Sequence, residues 1–376
     1  MEKRIPLFGI YRDGHMDAVA LEVMRSGQIA SGSYVKQFEE GFGRLVNQAN
    51  VVTVNDMSSA IQIALRLIGV GPGDEVLASP YACMSTNAPM AISGATPVWV
   101  DIDPQTGTMD PEALERSITS RSKAVILYHL AGYPADIRRI VSICQARGIK
   151  LIEDCDNALL ATVDGKQVGN FGDFAIYSFY PNRQINATEG GALCCRLATD
   201  AERAIRLRRY GIDLTRFRDK DGEIDPRCDI PEIGWAATLN NLCSAIGYVQ
   251  LNGIAERIAK TRSVASRLVH ALSHVDGVEL VPSLPSAVPA YWAFLVKVSN
   301  RDVVLKELKR RGVHASKLHQ RTDIYSGFVN VQSYLPNVSQ FLDRILGLPC
   351  GWWMNDDDIT YVATTLKAVV ADNVEA

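Results

Sequence analysis

Short apolar runs that alternate with helix-spaced apolar residues constrain this chain more than any other feature. Val51-Val52-Thr53-Val54 is a β-branched run, and Ala60, Ile61, Ala64, Leu65 and Ile68 follow at the spacing of one helix face. Between them lies the polar turn Asn55-Asp56-Met57-Ser58-Ser59. The unit then repeats. The pattern predicts a strand over Glu75–Ala78, a helix over Thr86–Ser93, and strands over Pro97–Val100 and Ala124–Leu127. A helix over Ile137–Gln145 and a strand over Lys150–Ile152, ending in Glu153-Asp154, follow, with a further strand over Phe174–Tyr177. Residues 14–45 read as helical with a break from Gly27 to Ser33, whose small residues predict a chain turn near a binding site. Strands alternating with helices predict a mostly parallel α/β sheet with right-handed crossovers. This region extends to about residue 250. A long amphipathic helix over 253–275 leads into a smaller α+β region, with a strand over Leu295–Val298 and helices over Val303–Arg311 and 356–371. The expected domains are therefore 1–250 and 251–376.

A chain of 376 residues can bury a sizeable core without disulfides or metals. Its 39 Lys and Arg against 42 Asp and Glu leave a net charge of −3, which gives no electrostatic footprint for nucleic acid or an anionic membrane. No apolar stretch approaches the ~18 residues of a membrane span. The start, MEKRIPLFGI, is too short and too quickly polar for a signal peptide, so a cytoplasmic address is expected. Eight cysteines contain no C-x-x-C, and Cys194-Cys195 is the one close pair. That pattern predicts neither a zinc site nor a disulfide framework; no metal is expected, and most thiols read as small core hydrophobes.

Open parallel sheets bind ligands beyond the carboxyl ends of their strands. Asp154 ends one apolar strand, Ser178 follows another, and Ser58 and Ser59 open the helix after the first. A carboxylate and two hydroxyl-bearing turns suit a cationic ring and a phosphate. The same residue types also cap helices and end strands, and spacing alone favours that plainer reading.

Longer motifs go further. Gly71-Pro-Gly-Asp-Glu-Val76, the run from Gly94 to Asp103, Leu151-Ile-Glu-Asp-Cys-Asp156, the run from Gly169 to Pro181, and Glu189-Gly-Gly-Ala192 occur in a familiar order. With them the chain resembles the DegT/DnrJ/EryC1/StrS family of nucleotide-sugar aminotransferases, in the aspartate aminotransferase superfamily. The likeness extends from the Ser31-Gly32 turn to Leu348-Pro-Cys-Gly-Trp-Trp-Met354. It implies the pyridoxal-phosphate-dependent transferase fold of type I: a mostly parallel mixed sheet flanked by helices, plus a smaller α+β C-terminal domain.

The resemblance also assigns residues. Asp154 matches the aspartate that pairs with the pyridinium nitrogen of pyridoxal phosphate and keeps the ring an electron sink. Asn157 falls beside the ring, Ser178 matches the phosphate-binding serine, and Ser58 and Ser59 lie at the helix-start phosphate site. Met57 stands there where glycine is common, which would hinder close approach by the phosphate. Cys83 sits where many relatives stack an aromatic ring.

The main departure is Arg183. The family's Schiff-base lysine belongs at this position, and neither Lys166 nor Lys220 is near enough in sequence to replace it. Arginine keeps its proton and cannot attack an aldehyde. Pyridoxal or pyridoxamine phosphate would then be held non-covalently or not at all. Tyr180-Pro181 and Glu189-Gly190-Gly191 resemble a branch that uses pyridoxamine phosphate to dehydrate keto-sugars, so Tyr180 joins Arg183 and Asp154 as a catalytic candidate. Ala236 and Thr238 replace residues of a loop, within 210–241, that in relatives reaches the partner's cofactor, which implies a homodimer with shared sites.

On the sugar side the segment Lys317–Tyr325 resembles one placed over the nucleotide-sugar, with Tyr81, His319, Arg321 and Tyr325 as substrate candidates. Arg321 and His319 suit a diphosphate. Unaided, the segment reads as a solvated turn with a local Arg–Asp pair. The cluster Arg206, Arg208, Arg209, Tyr210 fits an anionic substrate and a charged helix surface equally well.

The function these residues imply is a nucleotide-sugar-modifying enzyme in surface-polysaccharide or sugar-containing natural-product biosynthesis, acting without a Schiff-base lysine. Two alternatives stand beside it. One is a pyridoxal-phosphate-dependent sugar aminotransferase with a drifted or engineered Lys-to-Arg change. The other is a catalytically silent partner subunit that binds a sugar nucleotide.

Overall fold

The computed structural model describes residues 3–328 and 334–374. A seven-stranded sheet organises it. Across the sheet the strands run Val51–Val54, Gly191–Cys195, Phe174–Ser178, Lys150–Asp154, Ser122–Tyr128, Glu75–Ala78 and Thr96–Trp99. All point the same way except Gly191–Cys195, which is antiparallel to both neighbours. The pattern reading did not include this strand. Its glycine start and paired cysteines carry no strong strand propensity, yet all five residues are buried. Cys194 and Cys195 point to opposite faces and enter different cores.

Helices cover both faces, as a parallel sheet requires. The expected helical region before the first strand resolves into Gly14–Ser26 and Ser33–Val46. The small-residue turn between them packs against Asn241, whose amide receives the Tyr34 N–H and donates to the Gln28 carbonyl, and it does not line the cavity described below. The helix expected from Thr86 begins at Met84, and the strand expected at Pro97–Val100 is Thr96–Trp99.

The central strand Lys150–Asp154 shows how alternation sorts chemistry. Ile152 and Leu151 face different cores, so Asp154 and Glu153 project to opposite sides. Glu153, fully buried, accepts the amides of Gly169 (2.7 Å), Phe171 (2.7 Å) and Gly172 (2.5 Å). His129 Nδ1 accepts the Ala135 amide, so its Nε2 carries the proton and faces Glu153 at 3.4 Å. Although His129, Glu153 and Cys155 are close enough to surround an ion, the Glu153 oxygens are taken by the 169–172 amides and His129 Nδ1 by the Ala135 amide.

A second, antiparallel sheet joins Val278–Leu280, Phe294–Val298 and Ile345–Leu348. Helices Ile254–Leu272, Arg301–Arg310 and Asp356–Val374 pack around it through Leu268, Leu308 and Leu366. Val338 and Phe341 of the helix Pro336–Arg344 insert into the core of the large sheet. Among the described residues no helix is long and apolar enough to cross a membrane.

Replacing Glu153 with alanine would strand three buried amides. The expected loss is about 3 kcal/mol or more of stability, read by urea denaturation, with a smaller loss for Glu153→Gln, which keeps an acceptor oxygen.

Candidate functional site

The carboxyl ends of Val51–Val54, Lys150–Asp154 and Phe174–Ser178 meet at one edge, where Gly191 of the reversed strand pairs with both Val54 and Ser178. A Cβ on Gly191 would lie 2.9 Å from the Asp56 and Met57 backbone, so only glycine lets this strand approach the turn so closely. A cavity of about 900 Å³ opens at this edge.

Its floor is charged. Asp154 is fully buried: Oδ2 accepts from Thr86 Oγ1 at 2.7 Å and Oδ1 from the Asp156 amide at 3.1 Å. Asp156 in turn accepts Arg183 Nη2 at 2.7 Å. The guanidinium also donates to Asn182 Oδ1 at 2.6 Å and lies 4.8 Å from the centroid of Trp292. Burial raises both carboxyls above the ordinary aspartate range. The charge of Asp156 adds to the rise at Asp154, and Arg183 opposes it at both. Asp156 Oδ1 and Arg183 Nε are buried with no partner among the described residues. A buried ion pair with unused polar atoms is poorly explained by stability alone.

One wall is a hydrogen-bonded aromatic relay. The Tyr128 hydroxyl receives Asn157 Nδ2 at 2.6 Å and the Ala131 amide at 3.3 Å, and it meets His319 Nε2 at 3.0 Å. His319 follows Leu318, whose φ of 63° is rare for a branched residue. Burial first, and the Arg183 charge second, push the imidazole down to about 4, so it is neutral at pH 7.

At the opposite end the helix Met57–Ile68 begins. Asp56 caps it, accepting Ser59 N at 2.8 Å and Ser59 Oγ at 3.1 Å. Ser58 Oγ donates to the Ser85 carbonyl, and Ser85 Oγ to Met57 Sδ. Ser178 Oγ accepts the Tyr180 amide. Asp56 and Glu189 both line the cavity here.

Of the residues singled out in sequence, Ser58, Cys83, Ser178, Tyr180, Arg183 and His319 line the cavity. Asp154 and Asp156 are not among the lining residues; Asp156 bonds the lining residue Arg183, and its amide donates to Asp154. Ser59, Asn157, Tyr81, Arg321 and Tyr325 are not among the lining residues. Tyr81 is buried, with its hydroxyl on the Lys317 carbonyl and its ring edge-on to His319. Arg321 is held by Asp323 and Ser339, the local pair the plainer reading expected, and Tyr325 is exposed. Within the basic cluster, Arg208 is buried against Glu39 and the Thr53 carbonyl and supports the first strand. Sequence reasoning missed Asp56, Asp156 and Trp292. Asp156 had a signal, a third acid in Glu153-Asp154-Cys155-Asp156; Trp292 had none, being brought in from the C-terminal region.

A mixed sheet with this strand order, a charged carboxyl-edge cavity and an appended antiparallel sheet is the architecture of the type I pyridoxal-phosphate-dependent transferases. Residues 12–367 match the model of the DegT/DnrJ/EryC1/StrS aminotransferase family, and the chain belongs to that family. It is 30% identical to dTDP-4-dehydro-2,3,6-trideoxy-D-glucose 4-aminotransferase of Saccharopolyspora spinosa, over 96% of this chain and 94% of that one. It is 28% identical to the spore coat polysaccharide biosynthesis protein SpsC of Bacillus subtilis, over 93% and 92% respectively. The solved aminotransferase TlmJ of Streptoalloteichus hindustanus superposes with a TM-score of 0.92 at 29% identity, covering 99% of this chain and 100% of its own.

The family's cofactor needs an amine to bind covalently, and among the described residues no lysine lines the cavity. Asp154, fully buried, is not among the lining residues. At the helix-start end the Ser58, Ser59 and Ser85 hydroxyls are engaged within the protein.

Arg183→Ala would leave Asp156 buried without its counter-ion. The expected cost is about 3–5 kcal/mol at neutral pH, shrinking as the pH falls and Asp156 takes up a proton, as urea denaturation at two pH values would read. His319 titrates near 4 when folded and near ~6.5 when unfolded, so its contribution to stability is full above that value and falls as pH drops toward 4. An NMR titration of the His319 ring checks this; a midpoint near its ordinary value would contradict it.

Proposed function

We propose that this protein is a nucleotide-sugar-modifying enzyme of the DegT/DnrJ/EryC1/StrS family that works without a Schiff-base lysine. The observation that carries the reading is Arg183, set in the cavity and neutralised by Asp156, with no lysine along the described lining. A guanidinium so held orients an oxyanion or a ring hydroxyl but cannot form an imine. Proton transfer then falls to other groups. Glu189 is the candidate, since burial first and the nearby charge of Asp56 raise its carboxyl above the ordinary glutamate range. Tyr180, half-exposed at the rim, and the neutral His319 are placed to position a sugar.

The names of the relatives support a sugar linked to a nucleotide as the substrate class, in polysaccharide or natural-product assembly. Exposed Tyr210, Leu214, Ile224 and Ile233 in the 210–241 segment support the homodimer, because their apolar surface is uncovered in one chain. Light scattering at about micromolar concentration is expected to give twice the chain mass.

The test of the main reading is direct. Incubated with pyridoxal phosphate and then borohydride, the protein is expected to retain no pyridoxyl group at position 183 by mass spectrometry. Arg183→Lys alone is expected to form little internal aldimine, because Asp156 would hold the new amine as an ammonium. Calorimetry with dTDP-glucose is expected to show binding. Turnover of a keto-sugar with glutamate at ordinary aminotransferase rates by the wild type would overturn the proposal.

A further inference from the structure

We infer that the helix-start end of the cavity is built against a phosphate ester, so that neither pyridoxal phosphate nor pyridoxamine phosphate is this protein's working ligand. This goes beyond the lysine-free reading and rests on different residues.

A phosphate dianion at a helix N-terminus needs free donors and a positive potential. Here the donors are engaged by the protein. Asp56 takes the Ser59 amide at 2.8 Å and the Ser59 hydroxyl at 3.1 Å. The Ser58 hydroxyl is on the Ser85 carbonyl at 3.0 Å, and the Ser85 hydroxyl is on Met57 Sδ at 3.3 Å. The amides of Met57 and Ser58, the Ser178 proton and the side-chain amides of Asn55 and Asn240 remain, all of them uncharged donors.

The potential is also wrong in sign. The Asp56 and Glu189 carboxylates line this end, and Asp56 is close enough for its charge to raise Glu189. Arg183 is the one guanidinium along the described lining, and Asp156 already neutralises it. A phosphate could recruit Ser59 only by displacing Asp56 from the cap, and the displaced carboxylate would remain beside it. Met57 adds a buried side chain to a turn over which Gly191 already packs closely. A ligand that reaches this end therefore presents hydroxyls or an ammonium group, as a sugar ring or amino sugar does.

Pyridoxamine phosphate is the discriminating probe, because it has no aldehyde and its binding does not depend on a lysine. Titrated into the full-length wild-type protein and followed by tryptophan fluorescence, it is expected to show no saturation up to about millimolar concentration. It is also expected to bind no better than pyridoxamine, a comparison that needs no variant. Asp56→Asn keeps a capping side chain and removes the charge, and should tighten pyridoxamine phosphate by about tenfold or more. A low-micromolar wild-type Kd for pyridoxamine phosphate, or an Asp56→Asn protein that folds and gains nothing, would overturn the inference while leaving the lysine-free reading intact. A pyridoxyl group fixed by borohydride at a lysine that reaches the cavity would instead sink that reading.

Discussion

The strand Lys150–Asp154 carries the constraint on which the rest depends: two consecutive carboxylates, both fully buried, at the centre of a sheet covered on both faces. A buried carboxylate persists only with partners, and alternation forces the two to find them on opposite sides. Glu153 gathers three amides of the 169–172 loop and so fixes how the chain enters the strand Phe174–Ser178. Asp154 turns the other way, to Thr86 and toward the cavity. One acid holds the 169–172 loop in shape, and its neighbour holds Thr86 and the Asp156 amide.

The ion pair of Asp156 and Arg183 adds a second layer at the same edge. Removing both charges from water is costly, and the pair leaves one carboxylate oxygen and one guanidinium nitrogen unused. The charge of Asp156 raises the carboxyl of Asp154 while Arg183 lowers it, so protonation of the two acids is linked, with His319 held neutral nearby. The family fold carries here a carboxyl-edge cavity lined, among the described residues, by one guanidinium and two acids, Asp56 and Glu189. The guanidinium is balanced by Asp156, and the helix-start end is faced by Asp56 and Glu189. Function follows the site more closely than the fold.

Sequence alone determined the α/β architecture. Apolar period, β-branched runs and polar turns are local properties, and they located most strands of the large sheet to within a residue or two. Sequence also determined that position 183 holds a group without a removable proton, because that is a property of arginine in any setting. It pointed to the carboxyl edge as a candidate site only through the family resemblance, since strand spacing by itself favoured plain helix caps and strand ends. Only the tertiary structure decided the rest. Gly191–Cys195 is a strand because its neighbours pair with it from both sides, not because of its own propensity. Tyr81 and Arg321 are turned to internal partners by residues far away or on the same turn, Lys317 and Asp323, which spacing does not reveal. Trp292 reaches Arg183 from 109 positions along the chain, and Asp156 becomes its counter-ion through packing. A side chain's partners depend on distances across the fold, and those are set only when the whole chain has closed on itself.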